Sequence, residues 1–177
     1  MIWEEIKMIY RTVCAVLFAA ASPSLVNAES LAAKPVLSNA LAQEMVSACF
    51  AHQVENGYAK VNVFVVDDGG HLLSASRQDA ACKACADIAE NKAITSALYG
   101  APTRVMADLS FGENRDGVAA GLPGAAFVPG IIAFAGGLPI TSADGAVIGG
   151  IGVSGASSDE DEQCAQAGID AISASLN

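Results

Sequence analysis

The polar side chains best placed to do chemistry lie on a mostly apolar stripe of a predicted helix over residues 82–99. Side chains that recur at steps of three and four share one helix face. This stripe contains Lys92, and an ammonium among apolar side chains requires an anion. That anion is either a ligand carboxylate or an internal acid such as Asp67 or Asp79, unless the lysine extends to solvent. The stripe consists of Cys85, Ile88, Lys92, Thr95 and Tyr99.

Two further candidates lie at the ends of a predicted strand over residues 71–77. The imidazole of His71 can ligate a metal, and the guanidinium of Arg77 offers paired donors to a carboxylate. The structural alternatives are a turn-capping role for His71 and an ion pair of Arg77 with Asp79 or Glu90. Alternation along the strand predicts one shared face. That face consists of His71, Leu73, Ala75 and Arg77.

The long segment 111–130 is rich in Gly, Ala and Pro. A loop of this length in a small domain is expected to cover a ligand or to contact another subunit. We expect Arg115 and Phe127 to form a mobile wall of an apolar pocket together with Phe111 and Met106.

The cysteines allow disulfides, free thiols or a metal site. In an oxidising compartment an even number favours one or two disulfides, and four cysteines permit three complete pairings. The single CxxC motif, with His52 and His71, matches no recognised zinc spacing. The motif also lacks the preceding βαβ context of a thioredoxin-type redox pair. Disulfides are therefore the leading hypothesis, for Cys49, Cys82, Cys85 and Cys164.

The beginning of the chain has the features of an export signal. Lys7 and Arg11 supply positive charge, residues 12–21 form an apolar run, and residues 26–28 offer small side chains before a cleavage site. An uncleaved membrane anchor is the alternative. It is disfavoured because the run is shorter than the roughly 20 residues that span a bilayer.

These features divide the chain into three parts. We expect a signal peptide at residues 1–28, an N-terminal linker at 29–36 and one domain at 37–177, with Met8 as an alternative start. Cys14 leaves with the signal. The remaining protein is expected to be periplasmic or secreted, with no membrane association after cleavage.

Composition limits the partners of this domain. The 177 residues include nine Lys plus Arg and 19 Asp plus Glu, which gives a formal net charge of −10. A nucleic-acid partner is not expected, because such a protein needs a basic face to offset phosphate charge. The hydrophobic fraction of 53% predicts a packed core rather than a disordered chain.

The pattern of turns and apolar residues predicts a single α+β domain, in which helices cover an antiparallel sheet. Short turns join most strands, which favours antiparallel pairing over a doubly wound parallel sheet. The predicted helices cover residues 39–55, 82–99, 104–109 and 158–175, and the five predicted strands cover 60–66, 71–77, 131–134, 138–141 and 146–153.

Two short segments are assigned structural roles. The acidic run 159–162 is expected in the first turn of the last helix, capped by Ser157 or Ser158, with an iron or calcium site as the alternative. The glycine-rich segment 149–152 lies within a predicted strand, so it is not expected to cradle phosphate. It permits close backbone approach, which we expect across a subunit interface.

Eight segments, taken in order, resemble the GlcG-type family, also called the haem-degrading or haem-binding domain family. The similarity covers about residues 37–171. It implies a five-stranded antiparallel sheet with helices packed on it, in dimers or larger rings. It also implies haem or a related tetrapyrrole as ligand. The segments are VVDDGGHL at 65–72, RQDA at 77–80, KAIT at 92–95, APT at 101–103, GGLPI at 136–140, GAVIG at 145–149, IGVSG at 151–155 and DEQCA at 161–165.

If haem is the ligand, the candidate residues acquire specific roles. Lys92 and Arg77 are expected to pair with propionates, and Thr95 to hydrogen-bond the ligand or approach the iron. His71 is the candidate metal ligand, since imidazole is the commonest axial ligand of haem. Thr103 and Phe127 complete the candidate haem-binding residues.

The leading hypothesis is an exported, homo-oligomeric haem- or tetrapyrrole-binding protein that acts as scavenger, buffer or accessory sensor. The first alternative is an enzyme acting on an organic or hydroxy acid, with Lys92 as acid, base or anion clamp. The second alternative is a structural subunit of an oligomer.

Overall fold

The computed structural model describes residues 33–176, which form helices and strands in the order α1, β1, β2, α2, α3, β3, β4 and α4. The predicted signal peptide and the first part of the linker lie outside the described residues. Residues 33–36 have no regular secondary structure. No helix within the described part of the chain is long and apolar enough to cross a membrane. The elements are α1 (Asn39–Asn56), β1 (Asn62–Asp67), β2 (Leu72–Arg77), α2 (Cys85–Tyr99), α3 (Val105–Phe111), β3 (Gly137–Thr141), β4 (Val147–Ser154) and α4 (Ser158–Ala171), with 3₁₀ turns at Ala125–Phe127 and Ser173–Ser175.

The strands form one antiparallel sheet in the order β2-β1-β4-β3. This sheet has four strands, so the predicted strand at residues 131–134 is wrong. Its backbone is held by threonine side chains instead of a neighbouring strand. The N–H of Ile132 donates to Oγ1 of Thr95 at 3.1 Å, and the carbonyl of Phe134 accepts from Oγ1 of Thr103 at 2.7 Å. With partners supplied this way, the segment runs as a loop along α2.

Helices cover the antiparallel sheet, as the sequence predicted, and the structure shows that they cover both of its faces. On one face, α1 and α4 enclose the main core, in which Val63 and Val65 of β1 and Ile151 and Val153 of β4 are buried. On the opposite face, α2 packs its Ala93 and Ala97 against Val66. Successive side chains of a strand point to opposite faces, so β1 and β4 bury residues against both helix layers.

Glycines in β4 allow α2 to lie directly on the sheet. A Cβ added at Gly152 would lie 2.0 Å from the carbonyl oxygen of Ala89 and 2.4 Å from the nitrogen of Ala93. A Cβ at Gly150 would lie 2.3 Å from the carbonyl oxygen of Ala93. The close approach expected from this glycine-rich segment is therefore made within the chain, between helix and strand.

We expect Gly152→Ala to destabilise the fold by about 1–3 kcal/mol or more, because a methyl group there meets helix backbone that cannot rotate away. Urea unfolding followed by circular dichroism measures the change. Gly121→Ala is the matched control, since its Cβ would meet only a flexible Leu109 methyl at 3.3 Å. Equal unfolding midpoints for both variants would contradict the packing of α2 on β4.

Two disulfides are present, as the even number of cysteines favoured, and they select one of the three complete pairings. Cys49 and Cys164 join α1 to α4, across 115 residues of sequence. Cys82 and Cys85, three residues apart in sequence, are joined at the start of α2. This second disulfide occupies the turn into the helix, which explains why α2 begins at Cys85 and not at Cys82 as predicted.

The ends of α1 and the start of α4 confirm the predicted capping residues. The side chain of Ser38 caps α1 by accepting from the N–H of Leu41, and Gly57 ends α1 in a left-handed conformation with φ of 68°. Ser157, one of the two predicted caps of the last helix, forms a capping box with Glu160.

Candidate functional site

The turn between β1 and β2 is organised by one carboxylate. Oδ1 of Asp67 accepts from the backbone N–H of Gly69 at 2.9 Å and of His71 at 2.8 Å. Partial burial raises the pKa of Asp67, but hydrogen bonds from these two N–H groups and from the imidazole outweigh it, so the pKa lies below its usual value. Asp67 is therefore an anion at neutral pH.

This anion also sets the state of the His71 imidazole. Nδ1 of His71 lies 3.2 Å from Oδ1 of Asp67, and the imidazole side chain is 83% exposed. In the neutral imidazole a carboxylate acceptor favours the tautomer with its proton on Nδ1. The lone pair of Nε2 then stays free, which is the arrangement that orients a metal-ligating histidine.

Apolar side chains lie beside this turn on the α2 side of the sheet. A Cβ at Gly70 would lie 3.4 Å from Ile94 and 3.9 Å from Leu98, so the turn rests on the second half of α2. Leu72 pairs with Val66, which places it on the same side of the sheet as α2. Leu72 and Leu98 are 56% and 58% exposed. We call the group of His71, Leu72, Ile94 and Leu98 the hairpin surface.

Arg77 lies at the opposite end of β2 from this surface. Six residue steps separate it from His71, which is roughly 20 Å along an extended strand. Its Nη2 lies 3.5 Å from the carbonyl oxygen of Ala81, a contact to backbone and not to Asp79 or Glu90.

The predicted shared face of this strand is also interrupted. A register shift between Val65 and Val66 lies opposite Leu73. Leu73 packs against the α1 and α4 core, whereas Ala75 pairs with Phe64, which packs on the α2 side. A β-bulge of this kind reverses side-chain alternation, and the sequence pattern did not reveal it.

Lys92 is wholly buried and has internal partners. Its Nζ donates to Oδ2 of Asp161 at 2.9 Å and to the carbonyl of Val153 at 2.8 Å, and lies 4.9 Å from the centre of the Phe134 ring. Burial lowers the pKa of Lys92, an effect that Asp161 opposes. Burial likewise raises the pKa of Asp161, opposed by the ammonium. The pair is a desolvated ion pair beneath α2.

The ion-pair partners predicted for Lys92, Asp67 and Asp79, are therefore wrong. The acid that meets Lys92 belongs to the acidic run, which does occupy the first turn of α4. Its other members also have structural partners: Asp159 and Glu162 both pair with Arg104, at 2.8 and 2.7 Å. As a ligand-binding residue Lys92 stays a prediction, and its ammonium is 0% exposed.

The two predicted threonines hold the loop before β3. Oγ1 of Thr95 accepts from Ile132 and donates to the carbonyl of Gly130 at 3.2 Å. Oγ1 of Thr103 accepts from the N–H of Gly137 at 2.9 Å and donates to Phe134. Both threonines are buried, so their hydroxyls shape the loop; direct ligand contact by either remains a prediction.

A cleft beside α3, the second candidate site after the hairpin surface and called the second cleft, was only partly anticipated. Its volume is about 380 Å³, and it is lined by Arg104, Arg115 and the exposed ring of Phe134. Within residues 33–176 the Arg115 side chain makes no hydrogen bond or ion pair. Arg104 was not predicted from the sequence. The acidic run on α4 could have indicated it, because carboxylates there need a cationic partner.

The predicted pocket wall in the long loop is present in part. Phe111 and Phe127 make an edge-to-face contact with ring centres 5.6 Å apart, and Phe127 is exposed. Met106 is buried, and Arg115 lines the cleft.

Among the described residues 33–176 there is no group of three or more His, Cys, Asp or Glu side chains that could hold a metal ion. Metal ligation by His71 would therefore use a single protein ligand, as haem permits.

These features define a small α+β domain with one antiparallel sheet between helix layers and an exposed imidazole at a hairpin turn. The sequence model described as "Haem degrading protein HbpS-like" matches residues 37–170. Protein GlcG of Escherichia coli K12 is 32% identical over 121 residues, 68% of this chain and 83% of GlcG. The chain belongs to the HbpS-like, GlcG-type family, as the sequence motifs predicted.

Two solved structures share this fold. A double mutant of Streptomyces reticuli HbpS has a TM-score of 0.70 and 34% identity, and the match covers 86% of this chain and 98% of that one. A PduOC–heme complex has a TM-score of 0.64 and 27% identity, with 78% and 96% covered.

Proposed function

We propose that this protein binds haem or a related tetrapyrrole on the hairpin surface, with Nε2 of His71 as the iron ligand. The observation that carries the proposal is the exposed imidazole, turned by Asp67 so that Nε2 is free. Family membership and the heme complex of a relative support haem as the ligand class.

The exposed apolar residues next to the hairpin turn suit a flat apolar ligand. Leu72 and Leu98 expose aliphatic side chains that a macrocycle face would cover, and burying such area is favourable. Lys34 pairs with Asp68 at the same turn, so its ammonium already has a counter-ion there. Bound haem would supply an iron centre for one-electron chemistry. The chain itself would orient that ligand through the hydrogen bond between Asp67 and His71.

Export and a role as scavenger, buffer or accessory sensor belong to the same proposal. They are supported by the signal-like residues 1–28 and by two disulfides, which persist in oxidising compartments. Homo-oligomerisation is likewise proposed, and the exposed leucines of the hairpin surface are compatible with a second copy covering the ligand.

The alternative function, action on an organic or hydroxy acid, would use a different site. Because the Lys92 ammonium is enclosed, a small carboxylate would be held by Arg115 in the second cleft, where the guanidinium has no partner among the described residues. This guanidinium supports the organic-acid alternative, and the Arg115→Ala variant tests it separately from the haem proposal.

Titration of the full chain with haemin, followed by absorbance, tests the proposal. We expect a saturable Soret shift at one haem per chain that is lost in His71→Ala. His52→Ala is the matched control. The His52 ring lies on α1 against Tyr58, away from the hairpin turn, so the His52→Ala variant should bind haem as the parent does. A shift kept in His71→Ala and lost in Arg115→Ala would overturn the assigned site, and no saturable shift would overturn haem as ligand.

We expect Asp67→Asn to weaken haem binding about 10–100-fold, because removing the charge behind a ligating imidazole costs affinity of this order. The amide oxygen can still accept from the turn N–H groups, so the hairpin should remain folded. Asp68→Asn is the control at the adjacent position, where the carboxylate contacts Lys34. Equal haem affinities for the two variants would show that Asp67 does not act through His71.

A further inference from the structure

We propose that Cys82 and Cys85 form a redox-active pair that exchanges its disulfide with thiols of another molecule. This site is distinct from the hairpin surface, because Cys82 follows the far end of β2 and Cys85 opens α2. The substrate class is a low-molecular-weight thiol.

Accessibility separates this disulfide from the other one. Cys82 is exposed and Cys85 is partly buried, whereas Cys49 and Cys164 are fully buried between α1 and α4. Exchange requires a thiolate to reach a sulfur atom directly. In the native fold an attacking thiolate can therefore reach Cys82, while the Cys49–Cys164 disulfide is shielded.

The helix that follows stabilises the leaving thiolate. Cys85 is the first residue of the 15-residue α2, and the preceding Ala84 offers no side-chain cap to the N–H groups of the first turn, of which that of Ala86 donates to the carbonyl of Lys83 at 3.4 Å. A thiolate at a helix N-terminus is stabilised by these groups and by the helix dipole. Lys83 adds positive charge within the motif, opposite in effect to Asp87 in the first turn. A sulfur with a stabilised thiolate leaves faster.

The backbone of Cys82 is anchored while the pair opens. Asn62 of β1 is buried, and its Nδ2 donates to the carbonyl of Cys82 at 3.1 Å and of Ser154 at 3.0 Å. Oδ1 of the same amide is buried without a hydrogen-bond partner among the described residues. This unpaired acceptor belongs to the side chain that holds Cys82, and reduction of the pair creates two S–H donors in the motif.

The exchange balances in two steps. A substrate thiolate attacks Sγ of Cys82, forms a mixed disulfide and releases Cys85 as thiolate. A second substrate thiolate then attacks the substrate sulfur of that mixed disulfide, forms the substrate disulfide and releases Cys82 as thiolate. The two cysteines take up the two protons that the substrate thiols lost. In sum, two substrate thiols are oxidised by two electrons, and the Cys82–Cys85 disulfide is reduced to a dithiol.

The test uses the full oxidised chain without haem, incubated with reduced glutathione, then alkylated and analysed by peptide mass spectrometry. We expect Cys82–Cys85 to be reduced about 100-fold faster than Cys49–Cys164, because the buried pair requires local or global opening. Equal rates for the two disulfides would overturn the proposal.

Two single variants test the assigned roles. Treated with oxidised glutathione, Cys85→Ser should accumulate a stable mixed disulfide at the exposed Cys82. Cys82→Ser should form its adduct at the partly buried Cys85 about tenfold more slowly, since access to the sulfur limits exchange. The wild-type chain, first reduced to the Cys82 and Cys85 dithiol, should resolve its adduct internally by attack of the second cysteine, which releases reduced glutathione. Equal adduct rates for the two variants, or an adduct that persists in the wild type, would contradict the roles given to the two sulfurs.

Discussion

Replacing Lys92 with methionine is expected to destabilise the protein by about 3–5 kcal/mol, because the change leaves the buried Asp161 carboxylate without its counter-ion. Lys92 has no exposed surface, and the Asp161 side chain is 3% exposed. Methionine fills a similar volume, so the loss reports on charge and hydrogen bonding and little on a cavity. Urea unfolding monitored by circular dichroism measures it.

A double-mutant cycle shows whether the loss belongs to the pair. Asp161→Asn keeps an oxygen that can accept from the N–H of Ala156, and should by itself cost a similar amount. The double variant should cost clearly less than the sum, since neither uncompensated charge remains. Arg104→Met is the surface control and should cost about 0–1 kcal/mol. A Lys92→Met cost as small as that of the control would contradict a structural ion pair.

Removing the Cys49–Cys164 disulfide by changing both residues to alanine is expected to cost about 5 kcal/mol in the chain-entropy account of loop closure. The disulfide closes a loop across 115 residues and joins the two helices on one face of the sheet. The unfolded chain therefore gains much conformational freedom when it is lost. The change is measured as the difference in unfolding free energy between the oxidised parent and the double variant.

The other disulfide provides the comparison. Cys82 and Cys85 are three residues apart, so the same account gives about 2 kcal/mol for changing both to serine. The order of the two costs is the decisive result. If the double serine variant lost more stability than the double alanine variant, the assignment of Cys49–Cys164 as the main covalent support of the fold would be wrong.

Local signals in the sequence predicted most helices and strands. Ser38 and Gly57 delimit α1, and the Asp67 to Gly70 turn joins two β-branched or alternating segments, because capping and turn chemistry act within a few residues. The extra strand at residues 131–134 was predicted because its side chains are β-formers. Its backbone partners are threonines 31 to 37 residues away in sequence, which a local pattern cannot show.

Local sequence patterns also predicted only part of the candidate site. His71 was found from the turn that precedes it, and the structure adds the contact to Asp67 within the same turn. The partner of Lys92 is 69 residues away, on α4. One signal was present: Asp161 lies three and four residues before Cys164 and Ala165, on the apolar face of that helix. A carboxylate at such a position requires a buried cation.

The most direct test of the haem proposal is a crystal structure of the full chain with haem bound, in which the anomalous signal of iron locates the metal. We expect iron bonded to Nε2 of His71, with Nδ1 still beside Asp67 and the macrocycle against Leu72 and Leu98. Iron located in the second cleft between Arg104 and Arg115, with the His71 imidazole free, would contradict it.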